Sequence, residues 1–478
     1  MNVRVLAAVA ILTGGCASAL PVEHPTLDIT LPQNWTAREL PDSQLDVMWW
    51  EDFGDGGLAA AVNVALSRNY DLRAAAARLE QAAADARAAE GDLQPTVQGT
   101  FNGGRRKQNF VGFPIPGSQG RVLSTVSTNY GVSLDVSWEI DLWGRLRNTA
   151  RAALADLQAS AADLRGAQLS IAGQTTKAWF AVAEAQQQID LSLKTVRSFR
   201  SVAEQVQDRF EAGIRPALDL RLALLNLSNA EAQLQQRRQQ LDGATRQLEV
   251  LLGQYADGVF DTPARLPQIT PSVPAGMPAD LVARRPDLVA AERELTAFLV
   301  RTDVARADLL PRLSITGATG TATDGLRSLI DGNFGVWSLL GNIVAPLWQG
   351  GRLRAQIDRA EARGAEALAS YANAALTAYS EVETALAAEE FFVERELHLA
   401  ESTLQARAAE RLAEERYRAG LETYITVLDS QRSAVSAESE LIAARRIRLE
   451  NRVDLYLALG GGFEKLEAPV QLLDLGGQ

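Results

Sequence analysis

The sequence predicts a mainly α protein with a membrane β part, built from one unit of strands and long helices that occurs twice. Three observations carry that reading. The motif Arg209-Phe210-Glu211-Ala212-Gly213 recurs as Arg416-Tyr417-Arg418-Ala419-Gly420, a shift of 207, and Leu252-Gly253 recurs at the same shift as Leu459-Gly460. Leu142-Trp143 recurs as Leu347-Trp348, a shift of 205. A period this long marks a duplicated half-protein and not a solenoid unit. Secondly, no proline occurs between Pro116 and Pro216 or between Pro346 and Pro469. Proline inside a helix removes a hydrogen bond and clashes with the preceding turn, so two such gaps permit two very long helices. Thirdly, Tyr130 to Leu142 sets seven apolar residues at strict period two. That pattern puts one face in an apolar medium and the other in a polar one.

The elements follow in chain order. Arg4 precedes a short apolar run, Val5 to Leu12, and then Thr13-Gly14-Gly15-Cys16. The run is far below the roughly 20 residues a membrane helix needs and reads as a targeting segment, residues 1–15. Cys16, the only cysteine, follows two small residues and resembles a bacterial lipoprotein signal whose thiol accepts a diacylglyceryl group; Thr13 stands where that pattern usually has leucine. Ala17, with no aspartate at that position, resembles lipoproteins sorted to the outer membrane. An ordinary signal peptide with an incidental cysteine is the alternative. Residues 16–55, with Pro21, Pro25, Pro32 and Pro41, read as an extended arm ending at Trp49-Trp50-Glu51-Asp52-Phe53.

The first repeat, residues 56–256, opens with a helix over about 56–91, ended by Pro95. A strand with Val97, Gly99 and Phe101 on one face follows, then a glycine- and proline-rich loop from Gly103 to Gly120. The strand over 130–142 is longer than usual for a soluble sheet and suits a tilted membrane strand of roughly 9 to 11 residues plus ends. A long sandwich strand is the other possibility. From Arg145 to Glu211 the chain reads as one helix, with Leu157, Leu164, Ile171, Ala178 and Ala185 every seven residues. Gly213 and Pro216 break it. Leu220, Leu227, Leu234, Leu241 and Leu248 then mark a return helix, which makes a long antiparallel coiled-coil hairpin.

A proline-rich linker, 257–278, separates the copies, and the second repeat, 279–463, follows the same scheme. It has a helix over about 279–309, strands over 312–319 and 334–348, a long helix over about 351–418, a turn at Gly420 and a return helix over about 423–458. Residues 464–478 form a tail. Each half thus supplies two strands, and four strands cannot close a barrel. An open edge in lipid leaves backbone groups unsatisfied, so membrane strands force oligomerisation, and three protomers would give twelve strands.

Composition narrows the function. A formal net charge of -12 makes nucleic acid an unsuitable partner. One cysteine and two histidines, His24 and His398, exclude a disulfide framework and a cysteine-based zinc site. No nucleophile-base constellation, metal-ligand spacing or phosphate-cradling loop occurs; Gly460-Gly461-Gly462 follows a helix instead of opening one. The reading is therefore of a protein that is no enzyme and holds no cofactor or metal.

Several segments, in order along nearly the whole chain, resemble the TolC-like outer-membrane efflux factors, in the lipoprotein branch of resistance-nodulation-division (RND) systems. They are Trp49-Trp50 with Phe53, Trp138-Glu139-Ile140-Asp141-Leu142-Trp143-Gly144-Arg145, Leu281 to Asp287, Pro311-Arg312-Leu313-Ser314, Gly350-Gly351-Arg352-Leu353 and Leu457 to Gly462. The resemblance implies a homotrimer with a twelve-stranded outer-membrane barrel, continued by an α-helical tunnel across the periplasm. The tunnel docks on a periplasmic adaptor and an inner-membrane RND pump. It also implies a periplasmic gate, onto whose positions Tyr417, Asp429, Arg432 and Asp219 match, and adaptor-docking turns at Gly213 and Gly420. Thr426 and Glu422 stand where some members have aspartate and arginine. An ordinary (i, i+3) surface pair between Asp429 and Arg432 is the plainer alternative. On function, export of polypeptides and a pore-free periplasmic coiled-coil scaffold remain beside a small-molecule duct.

Overall fold

The computed structural model describes residues 35–36, 48–110, 122–259, 265–268 and 281–462. The signal segment with Cys16, most of the arm, residues 111–120 of the first loop, most of the 257–278 linker and the tail from 464 lie outside the described residues.

A buried 3₁₀ turn, Trp49–Phe53, comes first. Trp49 is fully buried and stacks on Tyr456 with centroids 5.0 Å apart, and Phe53 meets Phe180 edge-on at 5.1 Å. Asp55 then caps helix α1 (Gly56–Arg68) by accepting from the Gly57 and Leu58 amides, while its other oxygen accepts from the Trp179 indole at 2.9 Å. This aromatic cluster anchors the largest core of the molecule.

The single helix expected over 56–91 is two. Asn69 breaks it and caps α2 (Tyr70–Gly91), accepting from the amides of Asp71 and Leu72. A short amide side chain competes with the helical backbone for these donors, which makes the break local chemistry. The Asn69 amide also donates to the Leu251 carbonyl at 3.0 Å.

Four antiparallel strands form one sheet in the order β1 (Thr96–Phe110), β2 (Leu123–Ile140), β3 (Arg312–Thr323), β4 (Gly335–Val344). Three strands extend beyond expectation: β1 continues eight residues past Asn102 into the segment read as loop, β2 begins at Leu123 although it stops at Ile140, two residues short of the expected Leu142, and β3 runs on to Thr323. β4 is shorter than the expected 334–348 and stops at Val344. The extra length of β1 is invisible to hydrophobic patterning because both its faces are polar from Asn102 to Asn109; only its pairing with β2 reveals it.

The long helices match expectation closely. Helix α3 (Arg145–Glu211) and α4 (Ala217–Leu251) form the first hairpin. After α5 (Leu281–Arg284) and α6 (Pro286–Ala307), the second hairpin comprises α7 (Arg352–Arg418) and α8 (Tyr424–Ala458). Both outgoing helices have 67 residues and both return helices 35, so the duplication holds to the residue. At about 1.5 Å per residue each outgoing helix is roughly 100 Å long. No helix among the described residues is long and apolar enough to cross a membrane.

The helix expected over 279–309 is also broken, at Arg285, where Pro286 takes the first helical position. This break is the counterpart of Asn69. The Arg285 guanidinium donates to the Ala458 carbonyl at 3.2 Å as the Asn69 amide does to Leu251, and the two acceptors stand 207 residues apart. Gly253 and Gly460, both at positive φ, sit against the backbone of Arg68 and Arg284 respectively, just before those breaks.

Candidate functional site

The sheet presents one face of apolar side chains across its strands. Opposite residues of an antiparallel pair share a face. Val97 pairs with Val136, Phe101 with Val132, Trp138 with Ile315, Ile140 with Leu313, and Leu313 with Ile343. Trp337 and Leu339 of β4 continue that face, opposite Thr319 and Gly317. The other face carries Thr100, Ser133, Asp135, Ser137, Glu139 and Ser314. β4 departs from this, since Val336, Leu340 and Val344 stand on the polar side, and so does the Phe110–Leu123 pair at the far end of β1 and β2. Many of the apolar side chains are exposed, Trp337 at 80% and Ile343 at 73%, while Val136, Ile140, Leu313 and Ile315 are half-buried. Such a surface needs an apolar medium around it.

All four strands meet the helices at the same end of the sheet, where the Trp138–Arg145 motif makes the joint. The Trp138 indole donates to the Leu93 carbonyl at 3.0 Å, and that of Trp143 to the Pro311 carbonyl at 2.7 Å. Each thereby ties a strand to the chain segment that precedes another strand. Arg145 pairs with Glu139 at 2.9 Å, and Asp141 accepts from the Leu146 and Arg147 amides, capping the 67-residue helix. The Leu281–Asp287 motif is a second joint. Its buried Arg285 forks onto both oxygens of Asp287 and reaches Glu381 at 2.6 Å. These hydrogen bonds and ion pairs offset the burial of the guanidinium and leave its pKa raised.

At the far end of the hairpins the two turns are alike. Gly213 (φ 72°) and Gly420 (φ 76°) adopt the left-handed geometry that closes a helix. The amide of Ile214 returns to the Arg209 carbonyl, and that of Leu421 to the Arg416 carbonyl. Among the expected gate residues, Tyr417 is buried at 4%, with the guanidinium groups of Arg209 and Arg215 from the first hairpin about its ring at 5.2 and 4.9 Å. Tyr424 packs on it with centroids 5.8 Å apart. Burial, then the Tyr417 phenol and the Asp219 carboxylate, push the Tyr424 phenol far above its ordinary range. Tyr417 thus packs on Tyr424, and the Asp219 charge is felt there.

Asp429 and Arg432 are not brought together. Arg432 donates to Asn226 of the first hairpin at 2.6 Å, so the plain (i, i+3) pair does not form, and Asp429 stays exposed. Glu422 accepts from the Thr423 amide and the Thr426 hydroxyl, which hold its carboxyl below the usual range, with Arg416 3.6 Å away. Sequence reasoning missed Arg209, Arg215, Tyr424 and Asn226. Arg209, Arg215 and Asn226 act across hairpins and Tyr424 across the turn of its own, and no spacing within one helix signals such contacts.

The model of the outer membrane efflux protein family matches residues 61–254 and 277–461. The pyoverdine export outer membrane protein OpmQ of Pseudomonas putida is 32% identical over 456 residues, 94% of this chain and 95% of that protein. Outer membrane protein OprJ of Pseudomonas aeruginosa is 31% identical, covering 96% and 95%. The solved outer-membrane channel OprN superposes with a TM-score of 0.84 at 30% identity, over 92% of this chain and 98% of that one. Matched in both repeats and along nearly the full length of these relatives, the chain belongs to the outer membrane efflux protein family and is an outer-membrane channel component of an efflux pump.

Proposed function

We propose that this channel is the passive, gated exit duct of a tripartite pump. Three protomers close one twelve-stranded barrel, and their helical hairpins continue it as a tunnel through the periplasm. There the tunnel meets an adaptor and, through it, an RND-type inner-membrane pump that supplies the energy. The observation that carries this reading is the sheet itself, with one apolar face and free edges at β1 and β4. In lipid those edges must pair, and neighbouring copies supply the pairing. A pore-free scaffold has no use for such a surface.

The cargo is small molecules, a reading supported over polypeptides by the pyoverdine-exporting relative. Cys16 carries the lipid anchor. Tyr417, Asp219, Asp429 and Arg432 form the gate, where three Asp429 carboxylates round one axis repel each other and Arg432, held by Asn226, braces the two hairpins. Gly213 and Gly420 mark the turns that dock on the adaptor. The duct does no chemistry on its cargo and needs no cofactor.

Single-channel conductance in planar bilayers tests the gate, comparing wild type with a variant carrying Tyr417→Phe, Asp429→Ala and Arg432→Ala. Small, cation-preferring currents that grow severalfold in the variant are expected. Equal currents would move the gate elsewhere, and a protein that never inserts would restore the scaffold reading.

A further inference from the structure

The β1–β2 hairpin stands taller than the rest of the sheet. β3 ends at Thr323, opposite Tyr130, and β4 begins at Gly335, opposite Thr321. Beyond that level only β1 and β2 continue as strands, beside the 324–334 connection, and they stay paired from Gly104–Asn129 up to Phe110–Leu123. This two-stranded ribbon lies at the end of the sheet away from the helices, hence at the exterior side of the outer membrane. Arg105, Arg106 and Lys107 occupy its base, all exposed, and among the described residues none of them makes an ion pair or a side-chain hydrogen bond. From Thr96 to Leu134 the sequence has no Asp or Glu, although the chain as a whole carries -12.

Register divides the three cations. Arg105 pairs with Thr128 and Lys107 with Val126, and strand alternation puts both on the face of Val97, Phe101 and Val132. That face meets lipid. At about 3.4 Å per residue, Arg105 and Lys107 stand roughly 7 and 14 Å along the strand beyond Gly103, which pairs with Tyr130 at the top of the four-stranded part. Arg106 lies on the opposite, lumenal face. The two membrane-facing cations are therefore at headgroup height, just above the apolar band. The outer leaflet of this membrane is built from a glycolipid whose glucosamine head bears phosphates, and guanidinium and ammonium groups suit phosphate oxygens.

We propose that Arg105 and Lys107 form a binding site for the phosphorylated head of an outer-leaflet lipopolysaccharide. The inference rests on the outer-membrane placement of the sheet. An apolar band alone holds a barrel at a given depth. Two cations at its upper rim add a preference for the glycolipid leaflet and fix which end faces out.

Native mass spectrometry of the purified full-length protein tests this, with bisphosphorylated lipid A as the probe. The Arg105→Gln/Lys107→Gln variant is compared with wild type and with Arg106→Gln. The double variant is expected to bind about tenfold more weakly, and wild type to lose as much when the lipid is dephosphorylated. Arg106→Gln should bind as wild type does, because its side chain faces the lumen. Wild-type affinity in the double variant, equal loss in Arg106→Gln, or indifference to the lipid phosphates would each overturn the proposal. Displacement of the lipid by millimolar inorganic phosphate would also overturn it, assigning the site to the free anion. Each sample is first inserted into bilayers. A wild type that does not insert sinks the membrane placement, whereas insertion with unchanged lipid binding sinks only the lipid site.

Discussion

Glu294 of α6 lies close enough to Asp163 and Asp156 of α3 for their charges to matter. Burial first, and then these two carboxylates, raise its pKa; burial also raises that of Asp163, against the pull of Arg78. Asp156 is engaged by Arg301. A carboxyl whose folded value is raised binds its proton more tightly folded than unfolded, so ionisation opposes folding and stability increases as pH falls through the raised value. The effect levels off below the ordinary value of 4.5, where both states are protonated. Glu294→Gln should therefore raise the apparent unfolding midpoint at neutral pH by about 1 °C, a modest figure because water screens half-exposed charges. The gain should vanish near pH 4, as differential scanning fluorimetry across pH would register. Gly320 is a different kind of residue-scale constraint. A Cβ there would press on the Val132 carbonyl oxygen and lie 2.7 Å from the Ser133 Cα, whereas at Gly317 the nearest atom is 3.7 Å away. Gly320→Ala should part β2 from β3 at a cost of about 1–3 kcal/mol or more, and heat-modifiable migration on gels should be lost. Gly317→Ala should keep it. Neither glycine is legible as special in the sequence, because both sit in the same run of small residues and only the register separates them.

Elements were legible where local chemistry ends them. The bounds of α3 and α7 follow from Gly144, Gly213, Gly351 and Gly420, each at positive φ. The breaks at Asn69 and Arg285 were not, since the apolar stripe continues across the first and the second opens on a proline that a helix tolerates. β1 past Asn102 was hidden because its residues rise above the apolar band and lose alternation. Tyr417, proposed for the gate, was legible through the Tyr417-Arg418-Ala419-Gly420 motif, but the groups packed on it were not. Arg209 and Arg215 reach Tyr417 from a hairpin some two hundred residues away. The turns allow a direct test. A Cβ at Gly213 or Gly420 meets nothing within 4 Å, so a side chain there is strained by φ and not by crowding. Gly213→Val and Gly420→Val should unsettle only the tips, abolishing drug efflux in cells and cross-linking to the adaptor while leaving the trimer intact on native gels. Loss of the trimer would show that the turns support the fold at large.

For the whole molecule, the polar face of the sheet is the surface that would line the barrel. Asp135 stands on that face and is held by the hydroxyls of Thr100 at 2.8 Å and Ser133 at 2.9 Å. Three copies would ring one lumen, in a chain with a formal charge of -12. Asp135→Asn should lower the cation preference, moving the reversal potential in a salt gradient toward zero without changing insertion frequency. An unchanged potential would place the selective charges in the helical tunnel. The equality of the two hairpins has a consequence for how such a molecule can change length. Helices of 67 and 35 residues in one repeat are matched by 67 and 35 in the other. An insertion in one arm alone would lift one tip above its neighbour or turn its apolar seam to water. The tunnel can therefore grow or shrink only in steps, a heptad in each of the four long helices at once, or about 10 Å at a time. Its length works as a ruler with fixed divisions.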